Sequence, residues 1–308
     1  MNSFIYDQIE HCHLCPRECG VDRTKTTGFC GASSAMTAAR AALHFWEEPC
    51  ISGENGSGTV FFSGCSLRCC YCQNYQISQE LFGKAISSQK LADIFLKLQE
   101  NGANNINLVT ATHYLPWILP ALDQVKEQLH IPVVYNSSGY ERVETIQALR
   151  DYVDIWLPDL KYYNSELSAK YSRAADYFSH ASAAIRQMIT QTGEPEFEIR
   201  ESGCTPIMKK GVIIRHLILP GQKDDSIQLM HWIAEELPKG QFFLSLMSQY
   251  TPSSRPQEYK ELRRKLTTYE YQKVVDAALE LGLDQGFAQE KGSADEKFRP
   301  PFNLEGIL

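Results

Sequence analysis

Four cysteines lie within eight positions of the segment GCSLRCCYCQN, residues 64–74. Three of them follow the spacing Cys65-x3-Cys69-x2-Cys72, directly after an apolar run that we interpret as a buried strand. Three thiolates on one short loop can bind three irons of a cubane iron–sulfur cluster, whereas complete protein ligation uses four cysteines. The fourth iron would stay open to a small molecule, just as catalytic metal sites keep one position free.

Cys70 is out of step with this spacing. A four-thiolate zinc site that includes Cys70 is the main alternative, but the adjacent pair Cys69 and Cys70 fits poorly with the looped spacing of structural zinc sites. We therefore interpret Cys70 as a buried small side chain that is not a ligand.

A second cysteine group has the spacing Cys12-x2-Cys15-x3-Cys19-x10-Cys30, with glycines and a proline that favour turns. Soft thiolates in this number suit tetrahedral zinc or an iron–sulfur centre. We expect a metal site here and do not assign the metal. Zinc would hold the segment together, whereas an iron–sulfur cluster would relay an electron. The flanking His11 and His13 are interpreted as surface histidines.

Cys50 and Cys204 stand alone. An isolated cysteine is usually a small hydrophobe, although either one could donate a hydrogen atom.

The composition bounds the class of protein. Of 308 residues 43% are hydrophobic, and 30 Lys and Arg against 37 Asp and Glu give a net charge of -7, which argues against a nucleic-acid partner. The start of the chain has no basic leader followed by an apolar core, and no stretch reaches the roughly 18 apolar residues of a membrane span. We expect a soluble cytoplasmic protein without a membrane partner, in which disulfides are disfavoured.

Short apolar runs alternate with longer helical stretches from residue 58 onward, which indicates a parallel α/β sheet. This pattern suits an open doubly wound sheet or a partial six-stranded barrel, and periodicity does not choose between them. The predicted strands are 59–64, 106–110, 132–136, 153–158, 212–219 and 241–247, and the predicted helices are 88–101, 116–129, 141–151, 165–191, 225–237 and 267–282.

The expected organisation is a metal-binding N-terminal extension, residues 1–57, packed on a core, residues 58–289. Residues 290–308 are polar and contain prolines, so we expect a loosely packed arm.

Polar residues follow the predicted strands at their carboxyl ends, where α/β enzymes place function. Glu47 and Glu48 approach the first strand, and such paired carboxylates can bind a cation or act as acid and base, with a solvated turn as the alternative. The other candidates are Thr110, Thr112 and His113, Asn136 and Ser138, Asp159 and Lys161, and Gln249.

The chain resembles the radical S-adenosylmethionine (radical SAM) enzymes in its cysteine loop, where aromatic Tyr71 precedes the last cysteine. Several further segments resemble, in order, the PflX-type group, relatives of pyruvate formate-lyase activating enzyme. These are HFWEEPCISGENGSGTVFFSGCSLRCCYCQNYQIS, NINLVTATHYLP, VVYNSSGY, DIWLPDLKYY, IIRHLILPG and LSLMSQYTP, within about residues 10–290.

This resemblance implies a partial (β/α)6 barrel with a [4Fe-4S] cluster on Cys65, Cys69 and Cys72, whose unique iron binds SAM. An electron from a donor such as flavodoxin or ferredoxin would cleave SAM to methionine and a 5'-deoxyadenosyl radical, and the radical would remove hydrogen from a substrate. Such a radical needs the shielding from water that a closed barrel mouth supplies.

The resemblance also implies roles for single residues. Tyr71 would approach the adenine through its backbone, and Asn136 and Ser138 would hydrogen-bond SAM unless Asn136-Ser137-Ser138-Gly139 is only turn chemistry. Asp159 and Lys161 match an acidic and basic pair that touches SAM or substrate, with a weak exposed ion pair as the alternative. Arg215 matches an arginine on the fifth strand, and Gln249 joins the cofactor-binding candidates.

One departure concerns the SAM amino group. Activating enzymes carry Gly-Gly-Glu after the second strand, whereas this chain has Thr110-Ala111-Thr112-His113. The replacement could be Thr110, Thr112, His113 or a carboxylate such as Glu47, although a lone histidine at a strand end is more often structural.

Three functions stay open. The first is hydrogen abstraction from a protein target, as in activases of glycyl radical enzymes, and the second is the same chemistry on a small molecule or peptide. The third is a non-catalytic zinc or iron–sulfur electron-transfer protein with both cysteine groups closed.

Overall fold

The computed structural model describes residues 3–199, 205–252, 258–289 and 300–308. Cys204 and residues 290–299 of the predicted arm lie outside the described residues. Within the described ranges, no helix has the length and apolar character needed to cross a bilayer.

One sheet organises the described chain. Its strands are β1 (Thr37–His44), β2 (Ser57–Phe62), β3 (Lys84–Ala85), β4 (Ile106–Val109), β5 (Val133–Ser137), β6 (Ile155–Pro158), β7 (Glu196–Glu198), β8 (Ile207–Leu217), β9 (Phe243–Met247) and β10 (Gly286–Ala288).

The central strands run in parallel in the order β2-β4-β5-β6-β8-β9, so each strand neighbours the next one along the chain. A doubly wound sheet reverses its winding at a switch point, whereas this order never reverses. Winding in one direction is the arrangement of a partial (β/α)6 barrel, and the predicted fold class is confirmed. All six predicted strands are present, with ends shifted by a few residues.

Helices connect the strands and cover the outside of the barrel. The predicted helix over 165–191 is wrong as a single element, because Arg173 adopts a left-handed φ of 55° and ends the first half. The helices are α1 (Ser3–Tyr6), α2 (Pro49–Ser52), α3 (Tyr75–Ser78), α4 (Ser88–Glu100), α5 (Leu115–Val125), α6 (Val143–Ala148), α7 (Ser165–Ser172), α8 (Tyr177–Thr192), α9 (Lys223–Glu236) and α10 (Thr268–Glu280).

Strand β1 was not predicted, because its sequence TAARAALH is rich in alanine and poor in the β-branched residues that mark the predicted strands. It pairs antiparallel with β2 and adds to the edge of the barrel sheet. The expected boundary after residue 57 therefore does not separate the extension from the sheet.

The predicted loose arm is wrong for residues 300–308. Leu304 N donates to Ala39 O at 3.1 Å, and Ala41 N donates to Glu305 O at 2.8 Å, so this segment runs along β1. Ile307 is only 2% exposed and belongs to the core. Backbone pairing and the apolar side chains of Phe302, Leu304 and Ile307 hold residues 300–308.

The barrel interior is built in layers because side chains alternate along each strand. Two residues beyond the buried apolar Val134, Leu157 and Ile213, toward the carboxyl ends of β5, β6 and β8, lie Asn136, Asp159 and Arg215. A polar layer thus rests on an apolar one, which contains Val134, Ile155, Leu157 and Ile213 from the strands and Cys50 and Ile51 from α2. Cys50 is 3% exposed and is a small hydrophobe of this layer.

We expect Gly139→Ala to destabilise the protein more than Gly240→Ala. Both glycines have left-handed φ angles, +76° and +83°, which cost an L-residue about 1–2 kcal/mol. A methyl group at Gly139 would also overlap the Asp159 carbonyl oxygen, whereas no atom of the described residues would lie within 4 Å of a methyl group at Gly240. Overlap of this kind adds roughly 1–3 kcal/mol. Urea denaturation measures the free energy of unfolding of both variants. Equal losses would contradict the close approach of Gly139 to the Asp159 carbonyl oxygen.

Candidate active site

The cysteine loop starts where β2 ends, at the carboxyl edge of the parallel strands. Cys69 is buried, while Cys65 and Cys72 are half-buried. Each sulfur accepts a hydrogen bond: Cys65 from Leu67 N at 3.4 Å, Cys69 from Ser172 Oγ at 2.9 Å and Cys72 from Ser78 Oγ at 3.3 Å. Donors aimed at sulfur stabilise a thiolate, so this trio fits the donor set of an iron–sulfur cluster.

Cys70 differs from the other three cysteines of the loop in the exposure of its side chain, but in the opposite direction to our expectation. Its side chain is exposed, so the prediction of a buried small residue is wrong. Its backbone N–H donates to Tyr171 O at 2.9 Å. Cys70 is also absent from the cavity wall that the other three cysteines share.

A cavity of about 270 Å³ lies between this loop and the carboxyl ends of the strands. Several candidates from the sequence line its wall. They are Glu47, Cys65, Cys69, Tyr71, Cys72, Thr110, Asn136, Ser138, Asp159, Lys161, Arg215 and Gln249.

Arg215 is the centre of a charged network in this cavity. Its guanidinium donates to Asp159 Oδ1 at 3.0 Å, to Glu47 Oε2 at 3.1 Å and to Asn136 Oδ1 at 2.6 Å. Lys161 Nζ donates to Asp159 Oδ2 at 2.5 Å. The four charged side chains are only 9–16% exposed, so the weak exposed ion pair considered for Asp159 and Lys161 does not describe them.

The network fixes the charges of its members. Burial disfavours the ionised form of Asp159, but Arg215 and Lys161 outweigh it and hold the pKa of Asp159 below its usual value. Burial likewise opposes the charge on Lys161, yet Asp159 raises the pKa of that ammonium. Asp159 and Lys161 are therefore both charged near neutral pH.

Glu47 reaches this network from the connection between β1 and α2. Its Oε1 accepts hydrogen bonds from Asn107 Nδ2 at 3.2 Å and Asn136 Nδ2 at 3.3 Å. Burial raises the pKa of Glu47 and Arg215 opposes that rise. The solvated turn considered for Glu47 and Glu48 is wrong, since both are buried or nearly so.

Glu48 is 8% exposed and lies outside the cavity wall. Burial raises the pKa of its carboxyl, although Arg215 lowers it, and one oxygen, Oε2, has no hydrogen-bond partner among the described residues. Glu48 thus adds a third carboxyl group to a network with two cations.

Thr110 alone of the three candidates after β4 reaches the cavity. It has a left-handed φ of 57°, a strained conformation for a β-branched residue, and the chain then turns into a 3₁₀ helix, Thr112–Tyr114. This reversal carries the next side chains beneath the barrel mouth.

Thr112 and His113 are consequently not on the cavity wall, contrary to our expectation. Thr112 Oγ1 donates to Glu141 Oε1 at 2.7 Å and accepts from Tyr135 Oη at 2.9 Å. His113 Nε2 lies 2.8 Å from Ser63 O, and burial lowers its pKa to about 3, so the imidazole is neutral. Both side chains have structural partners.

Tyr71 and Gln249 line the cavity from the cysteine loop and from the segment after β9. Tyr71 is buried and its phenolic oxygen accepts a hydrogen bond from Tyr162 Oη at 2.6 Å. The Gln249 backbone accepts from Gln73 Nε2 at 3.0 Å, which ties β9 to the cysteine loop.

Sequence reasoning missed the residues that hold the site from behind. Asn107 could have been found, since an amide inside the buried strand INLV needs a partner. Ser78 and Ser172, which donate to Cys72 and Cys69, carry no signal, because exposed-looking serines in helices are common.

The second cysteine group comes together in space. Cys12 interacts with Cys19, Cys15 with Cys30 and Cys12, and Cys30 with Cys12 and Cys19. A side chain at Gly28 would meet Cys19 Sγ at 2.8 Å and Cys30 Sγ at 3.8 Å. Among the described residues, no set of three or more Cys, His, Asp and Glu side chains is already arranged to hold a metal ion.

Comparison with known proteins places this geometry in context. The sequence model of the radical SAM superfamily matches residues 59–233, more than half of the chain. The chain is similar to the uncharacterized protein MJ0674 of Methanocaldococcus jannaschii, with 30% identity over 286 residues, covering 90% of this chain and 76% of that protein.

Similarity to solved structures is more distant. SuiB of Streptococcus suis bound to S-adenosylmethionine has 14% identity and a TM-score of 0.47, covering 76% of this chain and 47% of SuiB, so the chain spans about half of that protein. A domain of pyruvate-formate lyase-activating enzyme from Bacteroides vulgatus has 14% identity and a TM-score of 0.40, covering 56% of this chain and 91% of that domain.

The match to the family model covers β2, β4, β5, β6 and β8 together with the cysteine loop that follows β2. A [4Fe-4S] cluster and SAM are the cofactors that this family implies. From its sequence match over most of these barrel strands, the chain belongs to the radical SAM superfamily of enzymes.

Proposed function

We propose that this protein holds a [4Fe-4S] cluster on Cys65, Cys69 and Cys72 and binds SAM in the adjoining cavity. One observation carries the proposal: all three cysteines, but not Cys70, line a cavity that the carboxyl ends of the barrel strands complete. When bound, the cluster and SAM supply an electron and a 5'-deoxyadenosyl radical that abstracts a hydrogen atom from a substrate.

The charged network would orient the amino-acid end of SAM. Glu47 is a glutamate on the cavity wall, so we assign it the role of the glutamate in the Gly-Gly-Glu stretch that this chain lacks. Hydrogen bonds from Asn107 and Arg215 hold its carboxylate in place. Lys161 has one carboxylate partner and three donor hydrogens, so it has donors left for an anionic group such as the SAM carboxylate. Because Thr112 and His113 are not on the cavity wall, we do not assign them to the amino group of SAM.

Other wall residues would position the rest of SAM and keep water out. Asn136 uses its amide on Glu47 and its carbonyl on Arg215, so we assign it a positioning role instead of direct SAM contact. Tyr71 and Ser138 remain candidates for the nucleoside, the first through its backbone. Gln249 would close the wall from β9.

For the substrate, we propose hydrogen abstraction from a protein backbone glycine, with an electron donor such as flavodoxin or ferredoxin in the cytoplasm. The support is the likeness of the ordered segments to activating enzymes. An alternative substrate is a small molecule or peptide, and its support is that Thr110-Ala111-Thr112-His113 replaces the Gly-Gly-Glu of activating enzymes.

Deuterium transfer separates these substrates. Protein and small-molecule candidates labelled with deuterium are incubated with reduced enzyme and SAM, and label in 5'-deoxyadenosine identifies the hydrogen source. Cleavage of SAM without transfer from any glycine-labelled protein would overturn the protein target, whereas intact SAM would overturn the enzyme itself.

We expect Cys69→Ala to abolish SAM cleavage and Cys70→Ala to retain most of it. Cys69 lies on the cavity wall and accepts a hydrogen bond, while Cys70 is exposed and faces away. Iron content and the electron paramagnetic resonance spectrum of the reduced protein report cluster loss directly. Equal loss in both variants would show that the ligand assignment is wrong.

Glu47→Gln should weaken SAM binding roughly 10–100-fold with iron content unchanged. The amide keeps the shape of the carboxylate but loses a charged hydrogen bond, which is typically worth about 1.5–3 kcal/mol. Equilibrium dialysis with labelled SAM measures the affinity. Glu48→Gln is the matched control, because Glu48 is buried beside the network but off the cavity wall, and similar losses in both would remove Glu47 from the SAM site.

Ser172→Ala should lower the reduction potential of the cluster more than Ser78→Ala does. Hydrogen bonds to cluster sulfurs stabilise the reduced state, and the Ser172 bond to Cys69, at 2.9 Å, is shorter than the Ser78 bond to Cys72, at 3.3 Å. Redox titration followed by electron paramagnetic resonance measures both potentials. An unchanged potential in Ser172→Ala would exclude its hydrogen bond from tuning the cluster.

A further inference from the structure

We infer that Cys12, Cys15, Cys19 and Cys30 bind one zinc ion, and that this ion fixes the N-terminal module that supports the cysteine loop. The module is defined as residues 12–32. Its role as a support rests on the proposed function, because the loop matters as the holder of the cluster. The zinc site itself does not depend on that function.

The backbone of the module already provides for thiolates. Burial disfavours the thiolates of Cys12, Cys15 and Cys30, and in each case the backbone N–H group two residues later, from Leu14, Arg17 or Ala32, opposes that effect. Such N–H donors offset the negative charge of metal-bound sulfur. Because the N–H group lies two residues after the cysteine in all three cases, this pattern belongs to the backbone fold and is not a chance contact of one side chain.

The turns bring the four sulfurs together. Glu18 N donates to Cys15 O at 3.0 Å and Gly20 N donates to Cys12 O at 3.0 Å, which closes the first three cysteines into tight loops. Gly28 then leaves room for Cys19 and Cys30, since any Cβ there would overlap the Cys19 sulfur.

The compactness of the group favours a single ion over a cubane cluster. Cys19 Sγ lies 4.0 Å from the Cys12 carbonyl oxygen, and the Cys19 side chain also interacts with the Cys12 thiol. Zn–S bonds of about 2.3 Å hold tetrahedral sulfurs a little under 4 Å apart. The four thiolates of a cubane cluster surround a core several ångströms wide. The cysteine group would have to open to accept such a core.

The module contacts the cysteine loop directly. Cys65 N donates to Cys30 O at 3.2 Å, so a proposed zinc ligand and a proposed cluster ligand share a backbone hydrogen bond. Arg68 of the loop donates to Phe29 O at 3.4 Å. Arg17 Nε donates to Ser66 O at 2.8 Å while its guanidinium lies 4.0 Å from the Phe29 ring.

The same arginine supports the cluster from the other side. Arg17 donates to Ser172 O at 3.2 Å, and Ser172 Oγ is the donor to Cys69 Sγ. Arg17 lies between Cys15 and Cys19 in the chain, so metal binding there would fix its position. Removing the ion should therefore loosen the loop while leaving the distant strands of the barrel intact.

The test measures metal in a protein that cannot hold the cluster. The triple variant Cys65→Ala, Cys69→Ala and Cys72→Ala is purified without added chelator, and its zinc is measured by mass spectrometry together with zinc X-ray absorption. We expect about one zinc per chain with four sulfur ligands at about 2.3 Å. Absence of zinc, bound iron in its place, or a nitrogen ligand would overturn the inference.

Further variants of the triple mutant identify the ligands. Cys15→Ser should lower zinc content roughly tenfold or more, because three thiolates leave the tetrahedron incomplete. His13→Ala, beside Gly20, and Cys50→Ser, in the barrel core, are controls that should keep the metal. If Cys15→Ser does not fold, the ligand count from X-ray absorption of the parent decides the question.

Amide hydrogen exchange of wild-type protein tests the support role. Zinc removal by a chelator should speed exchange across residues 64–72, above all at the Cys65 amide, and leave β8 and β9 unchanged. Unchanged exchange at Cys65 would overturn the coupling between module and loop. Loss of SAM cleavage with zinc retained would instead count against the proposed function alone, so the two failures are distinguishable.

Discussion

The charge on Arg215 constrains the rest of the barrel mouth. A guanidinium that is only 14% exposed must have its charge and its hydrogen-bond donors satisfied by protein groups. Asp159, Glu47 and Asn136 do this from three different elements, two strand ends and the connection between β1 and α2. Removing one partner of such a buried pair typically costs about 3–5 kcal/mol, so the network holds these elements in one arrangement.

This constraint explains why the N-terminal segment belongs to the catalytic barrel. Glu47 can reach Arg215 only because β1 pairs with β2 and α2 fills the apolar layer beneath the polar one. The carboxylate is thus delivered by an element that precedes the barrel in the chain. A site on rigid strands, with its charges already paired, loses little energy to reorganisation when a charged ligand enters.

The cysteine loop depends on the same segment from the opposite direction. Its carbonyls and amides are bonded to the module of residues 12–32, and one of its sulfurs accepts from Ser172, whose own carbonyl accepts from Arg17. Short irregular loops have few internal hydrogen bonds, so their precision comes from what they rest on. The two cysteine groups are therefore parts of one structural unit, although 34 residues separate Cys30 from Cys65 in the chain.

The amino-acid sequence alone determined the six parallel strands, the cysteine loop and the polar residues at the strand ends, because period, spacing and residue type are local signals. The singly wound barrel, which periodicity left open and the family resemblance implied, was confirmed by the strand order in the tertiary structure. Only the tertiary structure placed the Cys70 side chain in an exposed position and Thr112 and His113 off the cavity wall. It also joined Glu47 to Arg215 across 168 residues. These outcomes depend on strand order, on one left-handed residue at Thr110 and on long-range charge pairing, none of which leaves a periodic trace in a single sequence.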